Sequence, residues 1–162
     1  TAVRRDTWSL GDVPMPAVPP PAQCPRIAPR TGVEWLNRYE MRPVTGTLPE
    51  QWDGQEADSL TQLWLRDDPP RPIDFLSLAA MADVFFPRVW RRRAVMTPVG
   101  TVSMTVYFHA SRAELAATGE GYLLGQARSQ SFFNGFFDQS AELWNEAGHL
   151  LATTHQIVYY KE

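Results

Sequence analysis

A carboxylate set among small and apolar neighbours is the first place in this chain where chemistry could be done. Asp83 lies in AAMADVFFP, with Ala79 and Ala80 four and three residues before it and Phe86 three residues after. On a helix those positions share its face. A carboxylate there must be paired, hydrogen-bonded or part of a site, because burying it alone is costly; otherwise it is an ordinary surface carboxylate. Thr101 follows Gly100 at the head of an alternating run, and Gln156 lies in TTHQIVYY. Taken singly, each is an ordinary strand residue. His155 projects to the opposite face from Gln156, so those two do not share a site. Arg91, Arg92 and Arg93 form a local positive cluster that suits the phosphates of a nucleotide-bearing substrate, or equally a solvated face or interface. The chain has no G-x-S-x-G, no phosphate-binding P-loop and no G-x-G-x-x-G, so neither a hydrolase elbow nor a nucleotide loop is indicated.

The elements that must position these residues read as follows. Asp74 to about Phe86 is the one expected long helix, with Asp74 as N-cap and Pro87 limiting its continuation. Residues 32–44 and 60–66 read as two strands, and DDPPRP at 67–72 as a turn. Everything after Pro98 reads as β structure. Residues 101–109 alternate, with Val102, Met104, Val106 and Phe108 on one face and Thr101, Ser103, Thr105 and Tyr107 on the other. Residues 122–129, 132–144 and 151–161 supply three further strands, the last two joined by a hairpin around Gly148. This is an α+β arrangement, five to six mostly antiparallel strands wrapped around one helix. It is the outline of a hotdog fold, although the pattern also admits other one-helix sheet proteins. Seven prolines crowd residues 14–29, which suits a linker better than a core. The strand-like TAVRRDTW before them has no neighbour of its own. The expected division is an arm and linker over 1–30 and a folded domain over 31–162.

Composition narrows the function classes. The 162 residues are 44% hydrophobic and 20% charged, with a formal charge of -3. A core can form, and the strongly basic footprint of a nucleic-acid or membrane-surface binder is missing. One cysteine, Cys24, excludes an internal disulfide, and with only His109, His149 and His155 beside it a Cys/His zinc site is not expected. No cofactor is implied. Without a membrane-length apolar run or a secretory signal, a cytoplasmic setting is expected.

Several segments together change the reading of the three polar residues. MRPVTG near Met41, LWLR followed by PIDFLSLAAMADVFFP, TVSMTVYFH and GHLLATTHQ resemble the C-terminal hotdog domain of acyl-CoA thioesterase II and its thioesterase-like relatives, from about Gly32 to the chain end. In that family a Thr, an Asp and a Gln act together on the water that attacks the thioester. The resemblance assigns the aspartate to Asp83, the threonine seven residues before the Phe-His pair to Thr101, and the last-strand glutamine to Gln156. Ser103 and Met104 stand where enterobacterial relatives can carry an Asp-His pair, which points to a different branch. Family members carry two hotdog domains in tandem, so the resemblance also implies a partner: a first hotdog domain, or a second copy of this chain.

The function implied is hydrolysis of an acyl-CoA or similar acyl thioester, with Asp83 taking or orienting a water proton and Thr101 and Gln156 holding the water. A catalytically silent acyl-binding or structural half of a two-part assembly is the rival. A hydratase would need His five residues after an aspartate, and neither Asp74 nor Asp83 has one. Loops over 46–58 and 112–120 are expected to shape the pocket. Phe132, Phe133, Phe136 and Phe137 either line an acyl tunnel or divide between core and interface.

Overall fold

The computed structural model describes residues 8, 10–28, 32–48 and 51–161; the strand-like reading of the first residues lies outside them. Two strands, β1 (Tyr39–Thr45) and β2 (Thr61–Asp67), precede the helices α1 (Phe75–Met81) and α2 (Val89–Arg92). After them come β3 (Val99–Phe108), α3 (Arg112–Thr118), β4 (Leu123–Arg128), β5 (Phe132–Phe133), β6 (Phe136–Asn145) and β7 (Leu150–Tyr160). All pair antiparallel in one sheet ordered β1-β2-β4-β6-β7-β3, with β5 folded back on β6. The α+β expectation stands, with four departures in detail.

The long helix over 74–86 is shorter than expected. Asp74 does cap it: the Asp74 carboxylate accepts from the Ser77 amide at 2.7 Å and the Ser77 hydroxyl accepts from the Asp74 amide at 3.0 Å, a reciprocal box. The helix nevertheless ends at Met81, with Ala82 as C-cap. Unwinding there sends both Val84 and Phe85 into the core, which adjacent residues on a continuing helix, about 100° apart, do less well. The ring of Phe85 fits because Gly125 on β4 has no side chain; a Cβ at that position would lie 2.8 Å from the ring.

Residues 34–38 form a 3₁₀ turn rather than the start of a strand. The expected strand over 132–144 is a hairpin, since Asn134 and Gly135 both take positive φ (52° and 75°), the geometry of a two-residue turn with Asn-Gly at its centre. Residues 112–118, expected as loop, are α3. Ser111 caps it, its hydroxyl accepting from the Glu114 amide while the Glu114 carboxylate accepts from Ser111.

One face of the sheet packs on α1 through Leu63, Leu65, Leu78, Met81, Leu123, Leu143 and Leu151, among others. On the opposite face the proline-rich run packs over the part formed by β1, β2, β4 and the end of β6, and does not stand off as a free linker. Cys24 is buried with Trp64, Leu124 and Trp144, and Met15 and Val18 pack against them. Prolines lack donors but keep their carbonyls, and these are used: the Trp64 indole donates to Pro19 O at 2.8 Å, and Arg42 donates to the carbonyls of Pro21 and Cys24. The Ile27 amide then donates to Met41 O along the outer edge of β1. No helix among the described residues is long and apolar enough to cross a membrane.

Candidate active site

Asp83, Gln156 and Thr101 come from three separate elements and meet in a hydrogen-bonded line. Asp83 is not mid-helix. It lies in the turn just past α1, its amide donating to Ala80 O, and it is exposed. The side-chain amide of Gln156, 2% exposed on β7, donates to Asp83 Oδ1 at 2.8 Å. The Thr101 hydroxyl donates to Gln156 Oε1 at 3.4 Å. The glutamine is thereby held at both ends: its oxygen accepts from Thr101 and its nitrogen donates to Asp83. The second carboxylate oxygen of Asp83 has no hydrogen bond to protein among the described residues.

Strict alternation along β3 would set Thr101 on the face opposite Met104. A bulge prevents this. Thr101 pairs with Val158 and Ser103 with Ile157, so Val102 is the extra residue. The bulge turns Thr101 to the face shared by Met104 and Gln156, a re-aiming such irregularities commonly supply. Val102 is left 62% exposed.

Asp83 borders an open cleft of about 590 Å³ walled by Ala79 and Ala80 on α1, Met104 and Val106 on β3, and Trp35 and Tyr39. The two alanines keep the helix side low. Burial raises the phenol pKa of Tyr39, with the negative charges of Asp67 and Asp83 adding to the rise and Arg71 opposing it. Beyond Tyr39 lies a second, mostly apolar cavity of about 210 Å³, bordered by Leu36, Met41, Leu63 and Val84 among others. Trp35 and Tyr39, which the sequence reading did not single out, are thus part of the site. Trp35 lies in the 3₁₀ turn, where a strand was expected, and Tyr39 is the first residue of β1.

The arginine cluster is placed elsewhere. Arg91 is buried and spends its guanidinium on Thr47 O, Asp58 O and the carboxylate of Glu56. Arg92 donates to Glu56 O, and Arg93 stacks over the Tyr160 ring. Arg91 and Arg92 therefore hold Thr47, Glu56 and Asp58, and none of the three arginines borders the cleft at Asp83. Arg88, fully buried, donates to the carbonyls of Phe86 and Ser59 and to the Thr61 hydroxyl. Burial, reinforced by the nearby charge of Arg91, lowers its pKa to about 9, leaving it protonated at neutral pH. None of the four phenylalanines borders the cleft or the cavity: Phe137 is buried beside Val89, Val158 and Tyr160, Phe132 packs against that cluster, and Phe133 and Phe136 are exposed. His155 pairs with Ser140 on the far face of β7. Among the described residues no cluster of His, Cys, Asp and Glu is arranged to hold a metal ion.

Comparison with known proteins places the chain in a family and a fold. The family described as acyl-CoA thioesterase C-terminal domain matches residues 16–160. A conserved protein of unknown function with a hot dog fold from Alicyclobacillus acidocaldarius is 43% identical, with a TM-score of 0.88 over 98% of this chain and 59% of its own. A candidate thioesterase from Novosphingobium aromaticivorans is 25% identical, with a TM-score of 0.77 over 99% of this chain and 59% of its own. The acyl-CoA thioesterase II TesB2 of Mycobacterium marinum, 21% identical, shares the fold with a TM-score of 0.68, over 98% of this chain and 59% of its own. The chain thus spans about three fifths of the length of these solved structures. No match was found among curated proteins.

Proposed function

The chain belongs to the family of acyl-CoA thioesterase C-terminal domains, and on that premise we propose that it hydrolyses an acyl-CoA, or a related acyl thioester, by a water held between Asp83, Gln156 and Thr101. The observation that carries the proposal is the hydrogen-bonded line from Thr101 through Gln156 to Asp83, ending at a carboxylate on an open cleft. In this reading the free oxygen of Asp83 accepts a proton as the water oxygen attacks the thioester carbonyl. The tetrahedral intermediate then expels the thiolate, which takes that proton, and the carboxylic acid leaves. Gln156 fixes which oxygen of Asp83 stays available, and Thr101 fixes Gln156.

The reading also includes a partner. β3 is the outer strand of the sheet and pairs only with β7 among the described strands. Tyr107 on β3 is 59% exposed and Leu76 on α1 is 79% exposed. An unpaired edge flanked by exposed apolar side chains invites association. We assign that flank to a first hotdog domain or to a second copy of this chain, with the cleft completed at the seam.

The test is release of free thiol from acyl-CoAs of several chain lengths by the wild type and by Asp83→Asn. The variant keeps shape and removes charge, so turnover should fall by about 10²-fold or more. Wild-type turnover in Asp83→Asn removes the water-activating role. Absence of thiol release from the wild type with every acyl-CoA favours the rival reading, a silent acyl-binding half.

A further inference from the structure

Attack of water on a thioester carbonyl needs a group that takes the water proton and a donor for the oxygen that becomes anionic. The line from Thr101 to Asp83 offers the first and leaves the second unassigned. The walls of the cleft narrow the choice. As a carboxylate Asp83 only accepts, and the side chains of Ala79, Ala80, Met104 and Val106 have nothing to donate. The backbone amides of Ala79 and Ala80 lie inside α1 and are spent on its ladder. Two side-chain donors border the cleft, the Trp35 indole and the Tyr39 hydroxyl. Trp35 belongs to the 3₁₀ turn and is 50% exposed. Tyr39 is the firmer of the two. It opens β1, is half-buried, packs against the core cluster and meets the Trp35 ring edge-on at 6.4 Å. Among the described residues its hydroxyl has no hydrogen-bond partner, so the donor is not already spent. Its surroundings also keep the proton on the phenol. Burial and the charge of Asp67, its neighbour across β1 and β2, disfavour a phenolate, and Asp83 adds to them against the opposing charge of Arg71.

We infer that the Tyr39 hydroxyl donates to the thioester carbonyl oxygen and stabilises it as the carbonyl becomes the tetrahedral oxyanion. The inference rests on the thioesterase reading and adds a catalytic residue to that reaction. As the water oxygen bonds to the carbonyl carbon, the C=O pair moves onto the carbonyl oxygen and the water proton moves to Asp83. The negative charge thus passes from the carboxylate to the oxyanion. The phenol keeps its proton throughout. Its hydrogen bond tightens as charge builds on the oxygen, then relaxes when the C=O re-forms and the C–S bond breaks. A neutral donor suits this cleft better than a cation would. A lysine or arginine in its place would pair with Asp83, favour the ionised carboxylate and weaken it as a base.

The experiment measures kcat and KM in the full chain for the acyl-CoA that the wild type turns over best. Tyr39→Phe keeps the ring and removes the donor, so kcat should fall by about 10²-fold, the scale of losing one oxyanion donor. KM should change little, because the bond reaches full strength only in the transition state. Wild-type kcat in Tyr39→Phe, or a larger loss in Trp35→Phe, overturns the inference. Should Tyr39→Phe fail to fold, 3-fluorotyrosine placed at position 39 preserves the hydroxyl as a more acidic phenol. It should bring an alkaline fall in kcat to lower pH than in the wild type, and an unmoved profile overturns the inference. If the wild type releases no thiol from any acyl-CoA, the hydrolase reading fails, and Tyr39 is judged by calorimetry with two inert analogues. One carries a methylene in place of the thioester sulfur and keeps the carbonyl; the other carries a methylene in place of the carbonyl as well. Tighter binding of the first, with the difference lost in Tyr39→Phe, sustains the contact between Tyr39 and the carbonyl. Equal affinities, or a difference that survives in the variant, overturn it.

Discussion

The two edges of the sheet are finished in opposite ways. At β1 the chain closes on itself. Glu40, buried on that strand, receives the guanidinium groups of Arg42 and Arg66 and the Tyr122 hydroxyl at 2.6 Å, and Arg42 reaches on to the proline-rich strap. Each cation also stacks over the Tyr122 ring. At β3 nothing of the kind happens among the described residues: the strand is mostly exposed, and the cleft beside it lies open. The same sheet thus has a side whose polar groups serve packing and a side whose polar groups remain available. Charge density alone does not separate them, since both carry a carboxylate. What separates them is whether that carboxylate's oxygens are all occupied.

The sharpest way to break the comparison is to ask what finishes the open edge. Size-exclusion chromatography with light scattering on the isolated chain should give a mass above that of the 18.3 kDa monomer, or a monomer lacking activity until a first hotdog domain is added. A stable monomer with full thioesterase activity would show that the β3 edge needs no partner.

The second prediction contrasts the two carboxylates. Glu40→Ala leaves Arg42 and Arg66 without their shared anion in a buried setting, and should lower unfolding free energy by about 2–3 kcal/mol. Activity per folded molecule should hold. Asp83→Asn should do the reverse, since an exposed polar change away from packing typically stays within about 0.5 kcal/mol. Urea unfolding of both variants beside their thiol-release rates tests the pair; equal stability losses would mean that Asp83 also has a packing role.

How far the sequence foretold this division depends on the element. The sheet and most strand positions were legible, because β3, β6 and β7 are long and their composition carries the pattern. Asp83, Thr101 and Gln156 were legible only through a family resemblance, since a bulge and an unwound helix end, neither visible in periodicity, bring them together. Alternation placed Thr101 on the wrong face, as it has no means of registering the extra residue at Val102. Two misses did carry a local signal: Asn134-Gly135 is a strong hairpin pair, and Ser111 with Glu114 is a capping box. The strap was illegible for a physical reason. Its proline carbonyls bond to Trp64 and Arg42, residues 45 and 21 positions away in the chain, and no window along the sequence contains both partners.

The smallest effect is also the most specific to the closed edge, and it comes from acid. Burial pushes the Glu40 carboxyl upward, but hydrogen bonds from Tyr122, Arg66 and Arg42 outweigh it and hold the pKa at about 2, against an ordinary 4.5. Above pH 4.5 the group is ionised in both folded and unfolded chains, and its stabilisation is fully present. As pH falls from there towards 2 the unfolded chain takes up a proton that the folded chain refuses, so stability is progressively lost. Two helix caps act in the same direction: backbone donation from Ser77 lowers the Asp74 pKa, and donation from Ser111 lowers that of Glu114. Both are solvent-accessible, so their share is the lesser one. The urea midpoint of the wild type should therefore fall between pH 5 and pH 3, and that of Glu40→Gln, already lower at pH 5, should fall less over the same interval. Because the caps are untouched in the variant, its slope should shrink without vanishing. Equal slopes in the two proteins would place the acid sensitivity in the caps and take the closed edge out of the account.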